Sequence, residues 1–164
     1  ASYLAAAMET LARDAKRRIA LLVVGPEDFE WDASSYEVKK AGPVWNRQFL
    51  SACYNAADVV AVPSLMENFP FTAIEAAACG KPVVAFETGG LGEIVRHQET
   101  GYVARFEDAT DFARGLGEIL FDRARARESG ERARALAEEE FSARLMVERY
   151  VRLYEEILKK GPRR

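Results

Sequence analysis

Ala57-Asp58-Val59-Val60-Ala61-Val62-Pro63-Ser64-Leu65-Met66-Glu67-Asn68-Phe69-Pro70-Phe71-Thr72-Ala73-Ile74-Glu75-Ala76-Ala77-Ala78-Cys79-Gly80-Lys81-Pro82-Val83-Val84-Ala85-Phe86 decides the fold, and the same unit runs on through Thr88-Gly89-Gly90 to Val95. Asp58 to Val62 and Pro82 to Phe86 are short continuous apolar runs. Runs without polar alternation mark strands of a parallel sheet covered on both faces. Between them, Phe71 to Cys79 reads as a helix, with Gly80 as the left-handed residue that ends it. The order is therefore strand, loop, helix, strand, turn. Glu67 and Glu75 bracket the point where the loop becomes the helix. A helix start carries unpaired N–H groups and a partial positive charge, so it favours anions. The expected occupant is a phosphorylated molecule, with the two carboxylates accepting hydroxyl groups on either side.

Working outward, Ser2 to Lys16 has helical apolar spacing at Leu4, Met8, Leu11 and Ala15, with Ser2 as a cap. Ile19 to Val24 is another continuous apolar run, ended by Gly25-Pro26, and is expected to be buried on both faces. Glu27 to Ser35 reads as loop. Tyr36 to Ala41 reads as a short, more exposed strand before Gly42-Pro43. Asn46 caps a helix to about Ala56. Leu91 to Val95 is short and helical or irregular, and Tyr102 to Ala104 is a last strand. Asp108 caps a helix to about Phe121. Two further helices, from about 122, run over Arg123 to Glu139 and Ser142 to Lys160, before a frayed Gly161-Pro162-Arg163-Arg164 tail. Buried strands alternating with helices predict an α/β domain, a doubly wound parallel sheet with helices on both faces.

The bulk numbers narrow the function. The chain has 164 residues, 49% hydrophobic and 30% charged, enough for one domain with a core. A net charge of −3 gives no reason to expect a nucleic-acid partner. The basic run Arg123 to Arg134 is interrupted by acidic residues and reads as a solvated helix face. Cys53 and Cys79, set among small apolar residues, read as buried free thiols of a reducing compartment. One histidine, His97, in a polar turn, cannot build a His-rich zinc site. No apolar run approaches the roughly 18–20 residues of a membrane span, and no secretory signal is visible. A cytoplasmic setting follows as the expectation. The first residue is Ala1, which fits a fragment, a processed product or an excised domain.

The stretch Ala57 to Ser64, then Glu67 and Glu75, then Glu75-Ala76-Ala77-Ala78-Cys79-Gly80-Lys81-Pro82-Val83-Val84-Ala85, resembles the signature of the group 1 (GT4-type) retaining glycosyltransferases. The likeness continues through Gly89-Gly90, Glu93-Ile94-Val95 and Gly101-Tyr102-Val103 to Phe141-Ser142, Tyr150 and Leu153-Tyr154. It covers nearly the whole chain. Those enzymes have the GT-B fold, two facing Rossmann-like domains with the active site in the cleft.

The resemblance implies that residues 1–164 are the C-terminal, donor-binding domain of such an enzyme. The donor would be a nucleoside diphosphate sugar such as a UDP- or GDP-sugar, used as substrate, with no cofactor. Glu75 would accept from the ribose hydroxyls. Glu67, the catalytic candidate, would contact hydroxyls of the transferred sugar. The backbone N–H groups of Phe71 and Thr72 would meet the diphosphate, and those of Asn68 and Phe69 the sugar. The main chain of Val44 would touch the base, flanked by Trp45 or Asn46. Pro70 stands where many members carry glycine, so any N–H contact from there is lost. Thr88-Gly89-Gly90 could line the cleft, but a tight turn that needs glycine is the favoured reading.

The acceptor (a glycan, lipid or small molecule) belongs to an N-terminal domain outside this sequence, so the isolated chain is expected to be inactive. Any membrane association, at the inner membrane face, would come through that absent half. The family's basic residues for the diphosphate follow a strand that would precede Ala1; Lys16, Arg17 and Arg18 do not match them. In the family's sheet order that strand lies between Ile19–Val24 and Asp58–Val62. Those two strands are therefore expected to flank a gap, filled by another segment or chain. The alternatives are a sugar-nucleotide epimerase of the same fold and a non-catalytic α/β nucleotide-binding module.

Overall fold

The computed structural model describes residues 1–15, 17–26, 29–31 and 34–160. Lys16, part of the Glu27 to Ser35 loop and the expected frayed tail lie outside the described residues. The order is α1 (Ser2–Asp14), β1 (Ala20–Val24), β2 (Glu37–Gly42), α2 (Arg47–Ala56), β3 (Val60–Val62), α3 (Phe71–Ala78), β4 (Val83–Phe86), α4 (Leu91–Ile94), β5 (Gly101–Ala104), α5 (Ala109–Leu120), α6 (Arg123–Glu140) and α7 (Ala143–Lys160). All observed strand pairs are parallel.

β4 shows why the chain is wound on both sides. All four of its residues are buried, and successive side chains point to opposite faces. Val84 and Phe86 join α1, α5 and β5 in one core, where Tyr3 and Phe112 meet Phe86 at ring distances of 5.8 and 4.8 Å. Val83 and Ala85 join Ala73 and Ala76 of α3 and Leu91 and Ile94 of α4 in the other. α6 adds an outer layer on α3 through Ala77, Ala133 and Ala137. Small residues allow this close approach: a Cβ on Gly130 would lie 2.1 Å from the Gly80 carbonyl oxygen.

The strands form two sheets, β1–β2 and β3–β4–β5, with no ladder between β1 and β3. The break falls where the gap was expected. It also corrects the reading of Ile19 to Val24 as buried on both faces. Ala20, Leu22 and Val24 are exposed, while Leu21 and Val38 pack toward the core of α1 and α5. An apolar run specifies a strand, but burial of its second face needs a covering layer. No helix among the described residues supplies one there.

Smaller differences have local causes. Ser2 lies inside α1, whose N-cap is Ala1, and makes no capping bond. β3 is shorter than the apolar run that contains it. Cys53 is buried but Cys79 only partly so, and both are free thiols. The outer edge of β5 is covered by the preceding turn: Val103 N–H donates to His97 Nδ1 at 3.1 Å, and Gln98 N–H to the Gly101 carbonyl at 2.8 Å. Edge strands blunted this way do not template foreign strands. No helix among the described residues is long and apolar enough to cross a membrane.

Candidate functional site

The loop after β3 and the start of α3 lie beyond the C-terminal end of a parallel strand, where open α/β sheets bind ligands. α3 ends as the sequence specifies. Gly80 adopts φ +68°, Gly80 N–H donates to the Ala77 carbonyl at 2.8 Å, and Lys81 N–H donates to the Ala76 carbonyl at 2.9 Å. That paired pattern closes helix C-termini. The N-terminus differs from those of α2, α5 and α6, which are capped by the side chains of Asn46, Asp108 and Asp122. The N-cap of α3 is Pro70, which offers no side-chain cap. Ala73 N–H reaches back to the Pro70 carbonyl at 3.3 Å. Among the described residues, the N–H groups of Phe71 and Thr72 have no protein acceptor. These free donors and the aligned peptide dipoles favour an anion.

Glu67 is half-buried in the loop, and Asn68 and Phe69 beside it are exposed. The loop is held from below by the turn after β4. Thr88 Oγ1 donates to the Leu65 carbonyl at 3.1 Å, and Gly90 N–H donates to the Asn68 carbonyl at 2.8 Å. Gly89 has φ +50°, and a Cβ there would overlap the Glu67 carbonyl. Of the two sequence readings of Thr88-Gly89-Gly90, the structure therefore supports the turn that needs glycine, with the added role of a bracket under Glu67. From the other side, Phe141 at the end of α6 meets Phe69 edge-on, ring centres 5.6 Å apart.

Glu75 lies one turn into α3 with its side chain exposed. Its Oε2 accepts a 3.0 Å hydrogen bond from the Tyr54 hydroxyl of α2. Burial of Tyr54, then the hydrogen bond and charge of Glu75, push the phenol's pKa well up, so it stays a donor. Neither Tyr54 nor Phe141 was among the candidates. A signal for Tyr54 was present: Leu50, Cys53 and Tyr54 form an i, i+3, i+4 stripe on α2 that turns an aromatic residue with a polar tip inward.

Val44 follows β2, and no hydrogen bond or ring contact among the described residues joins it to the Glu67 loop or α3. Its neighbours divide clearly. Asn46 is committed to the α2 cap, its side chain accepting from Phe49 N–H at 3.0 Å. Trp45 is 92% exposed, so it is no core residue. His97 caps an edge strand and lies outside this group. No cluster of three or more His, Cys, Asp or Glu suited to a metal ion occurs among the described residues.

The sequence model of the family described as "Glycosyl transferases group 1" matches residues 1–136. The chain belongs to the group 1 glycosyltransferases. Among curated relatives, the D-inositol 3-phosphate glycosyltransferase of Nocardia farcinica is 39% identical over 144 residues, covering 80% of this chain and 32% of that protein. The N-acetyl-alpha-D-glucosaminyl L-malate synthase of Bacillus anthracis is 33% identical over 117 residues, covering 68% of this chain and 31% of that protein. The chain thus spans about a third of the length of these relatives. Among solved structures, sucrose-phosphate synthase from Thermosynechococcus elongatus superposes with TM-score 0.80 at 30% identity, over 97% of this chain and 42% of that one. Anabaena HepE in complex with UDP superposes with TM-score 0.78 at 23% identity, over 95% of this chain and 45% of that one, a likeness of fold. The doubly wound architecture is therefore that of glycosyltransferase domains, and the family match favours a transferase over the epimerase alternative.

Proposed function

We propose that residues 1–164 form the donor-binding domain of a retaining GT-B glycosyltransferase, with the helical region from about 122 as its C-terminal part. The observation that carries this is the uncapped start of α3 between Glu67 and Glu75, in a chain of this family. Phe71 and Thr72 N–H groups hold the diphosphate of a UDP- or GDP-sugar. Glu75 accepts from the ribose hydroxyls. Glu67 and the N–H groups of Asn68 and Phe69 face the sugar. The Val44 main chain meets the base, beside the exposed Trp45.

In the transfer, the bond from the sugar's anomeric carbon to the diphosphate oxygen breaks, a bond to the acceptor hydroxyl's oxygen forms on the same face, and the hydroxyl's proton passes to the leaving diphosphate. Charge develops on the leaving diphosphate, which is where preorganised N–H donors and a helix dipole act. The acceptor site and further basic groups belong to the remainder of a longer protein, as the length of the relatives supports. That remainder also supplies the occupant of the gap between β1 and β3. By itself the domain binds donor and transfers nothing.

Calorimetric titration of UDP-glucose, GDP-mannose, UDP and GDP against the protein tests this reading. Glu75→Ala is expected to weaken every nucleotide by about tenfold or more, the loss of charged hydrogen bonds. Glu67→Ala is expected to weaken the sugar nucleotides but not UDP or GDP. No binding by any of the four, or wild-type affinities in Glu75→Ala, would overturn it.

A further inference from the structure

We infer that Tyr54 is a positioning residue: its hydroxyl, hydrogen-bonded to Oε2 of Glu75, fixes that carboxylate for the two vicinal hydroxyls of the donor's ribose. This rests on the reading of Glu75 given above.

The geometry separates the two ends of Tyr54. Its ring is packed against the core of α3, β4 and α4, while its hydroxyl emerges at Glu75. The ring has few ways to move, so the donor is held in place. Glu75, in contrast, is an exposed side chain with freely rotating bonds, and it has no ion-pair partner among the described residues. Ordering such a side chain on binding costs affinity, and a fixed donor removes part of that cost in advance.

The contact is also the end of a seam. Farther along α3, Ser51 Oγ lies 3.8 Å from Cys79 Sγ, and Lys81 Nζ donates to the Asn55 carbonyl at 2.9 Å. These contacts already fasten α2 to α3 below the site. The Tyr54 bond stands at the site end of the seam, on the functional carboxylate. An ionised carboxylate offers about four lone-pair positions. Tyr54 takes one on Oε2, which leaves all of Oε1 and the remaining position of Oε2. That set matches the two O–H donors of a vicinal diol.

The test uses the full-length protein, with UDP and GDP each beside its 2′,3′-dideoxy form, measured by calorimetry. Tyr54→Phe keeps the ring and removes the hydroxyl. It is expected to weaken the ribonucleotide roughly 3- to 10-fold and leave the dideoxy form within about twofold. Glu75→Gln is expected to abolish the preference for ribose, and the double variant to be no weaker than Glu75→Gln alone, the non-additivity of groups acting as a unit. Equal weakening of both forms by Tyr54→Phe would reduce Tyr54 to a packing residue. No weakening of either form, with Glu75→Gln still abolishing the preference, would remove Tyr54 alone. A ribose preference that survives Glu75→Gln would overturn the underlying role of Glu75, and the role of Tyr54 with it.

Discussion

Gly89 lies directly beneath the backbone of Glu67, so close that a Cβ on the glycine would fall 1.7 Å from the Glu67 carbonyl oxygen. Its φ of +50° is also one that L side chains avoid. Gly89→Ala therefore meets a backbone atom that must move, on top of the roughly 1–2 kcal/mol cost of a left-handed residue. The expected outcome is a loss of about 2 kcal/mol or more in denaturant unfolding, together with loss of sugar-nucleotide binding as the Glu67 loop is displaced. Gly92 is the control. A Cβ there meets nothing within 4 Å, and Gly92 lies in α4. Gly92→Ala should leave stability unchanged or slightly raised, because alanine favours helix.

The packing of α6 on α3 gives a second steric prediction. A Cβ on Gly130 would lie 2.1 Å from the Gly80 carbonyl oxygen, and the atom in the way is backbone held in the closure of α3. Gly130→Ala should cost about 1–3 kcal/mol, the usual range for an overpacked contact. Gly117→Ala, whose added Cβ would sit 3.3 Å from the flexible Leu11 Cδ1, should be tolerated far better. Thermal melts of the two variants side by side would check the difference. Equal melting temperatures would show that α6 shifts freely on α3.

Acid stability turns on Asp111, which is 5% exposed. Burial would raise its pKa, but the Arg105 N–H at 2.8 Å, the Tyr102 hydroxyl at 2.9 Å and the Arg114 and Arg105 guanidiniums outweigh it, and the carboxyl lies below its ordinary value. A pKa lower in the folded than in the unfolded chain stabilises the fold at pH values above the unfolded carboxyl pKa of about 3.9. That contribution is lost as pH falls through the lowered folded value. Asp111→Asn should cost about 2 kcal/mol at pH 7 and should lose less stability than wild type on descending from pH 5 to pH 2. Urea midpoints measured across that range decide it; parallel curves would mean that another group governs the acid limb.

How much of this was legible in the sequence depended on how local the cause was. Val83 to Phe86, framed by Pro82 and Thr88-Gly89-Gly90, specifies a buried strand within a few residues, and it is one. That Glu67 and Glu75 flank a loop-to-helix junction was legible because the junction and both carboxylates lie in one short window. Tyr54 and Phe141 were not read as neighbours of Glu75 and Phe69, since each reaches them from another helix. The same limit explains β1. Its apolar residues identify a strand, but the exposure of Leu22 and Val24 is decided by what covers that face. Trp45, a large aromatic, stands in solvent for a related reason: residue type does not specify a neighbour.

α7 presents Met146, Val147, Tyr150, Val151, Tyr154, Ile157 and Leu158 to solvent and buries none of its residues. Its recorded tie to α6 is the ion pair of Arg149 with Glu140 at 2.7 Å, with a further Arg149 bond to the Glu140 carbonyl. Exposed pairs of this kind contribute less than about 1 kcal/mol. Ending the chain after Ser142, which keeps Phe141 against Phe69, should therefore leave the unfolding free energy of residues 1–142 within about 1 kcal/mol of the 164-residue chain. A larger drop would show that α7 folds back onto the body in solution.

The break between the two sheets makes the last prediction. Glu37 N–H donates to the Ile19 carbonyl, and Val60 N–H donates to the Pro82 carbonyl. Successive peptide groups of a strand point to opposite edges, so the amides of Leu22 and Ala61 face the gap between β1 and β3. β4 differs, since it is paired on both edges. Hydrogen exchange followed by NMR should therefore find Leu22 and Ala61 exchanging through local exposure, orders of magnitude faster than Val84 and Ala85, which open only with the whole domain. In a longer protein that seats a parallel strand in the gap, both amides gain carbonyl partners and should become as slow as those of β4. Slow exchange of Leu22 and Ala61 in the 164-residue chain itself would mean that β1 and β3 close directly on each other, and the gap would not be a place for a strand.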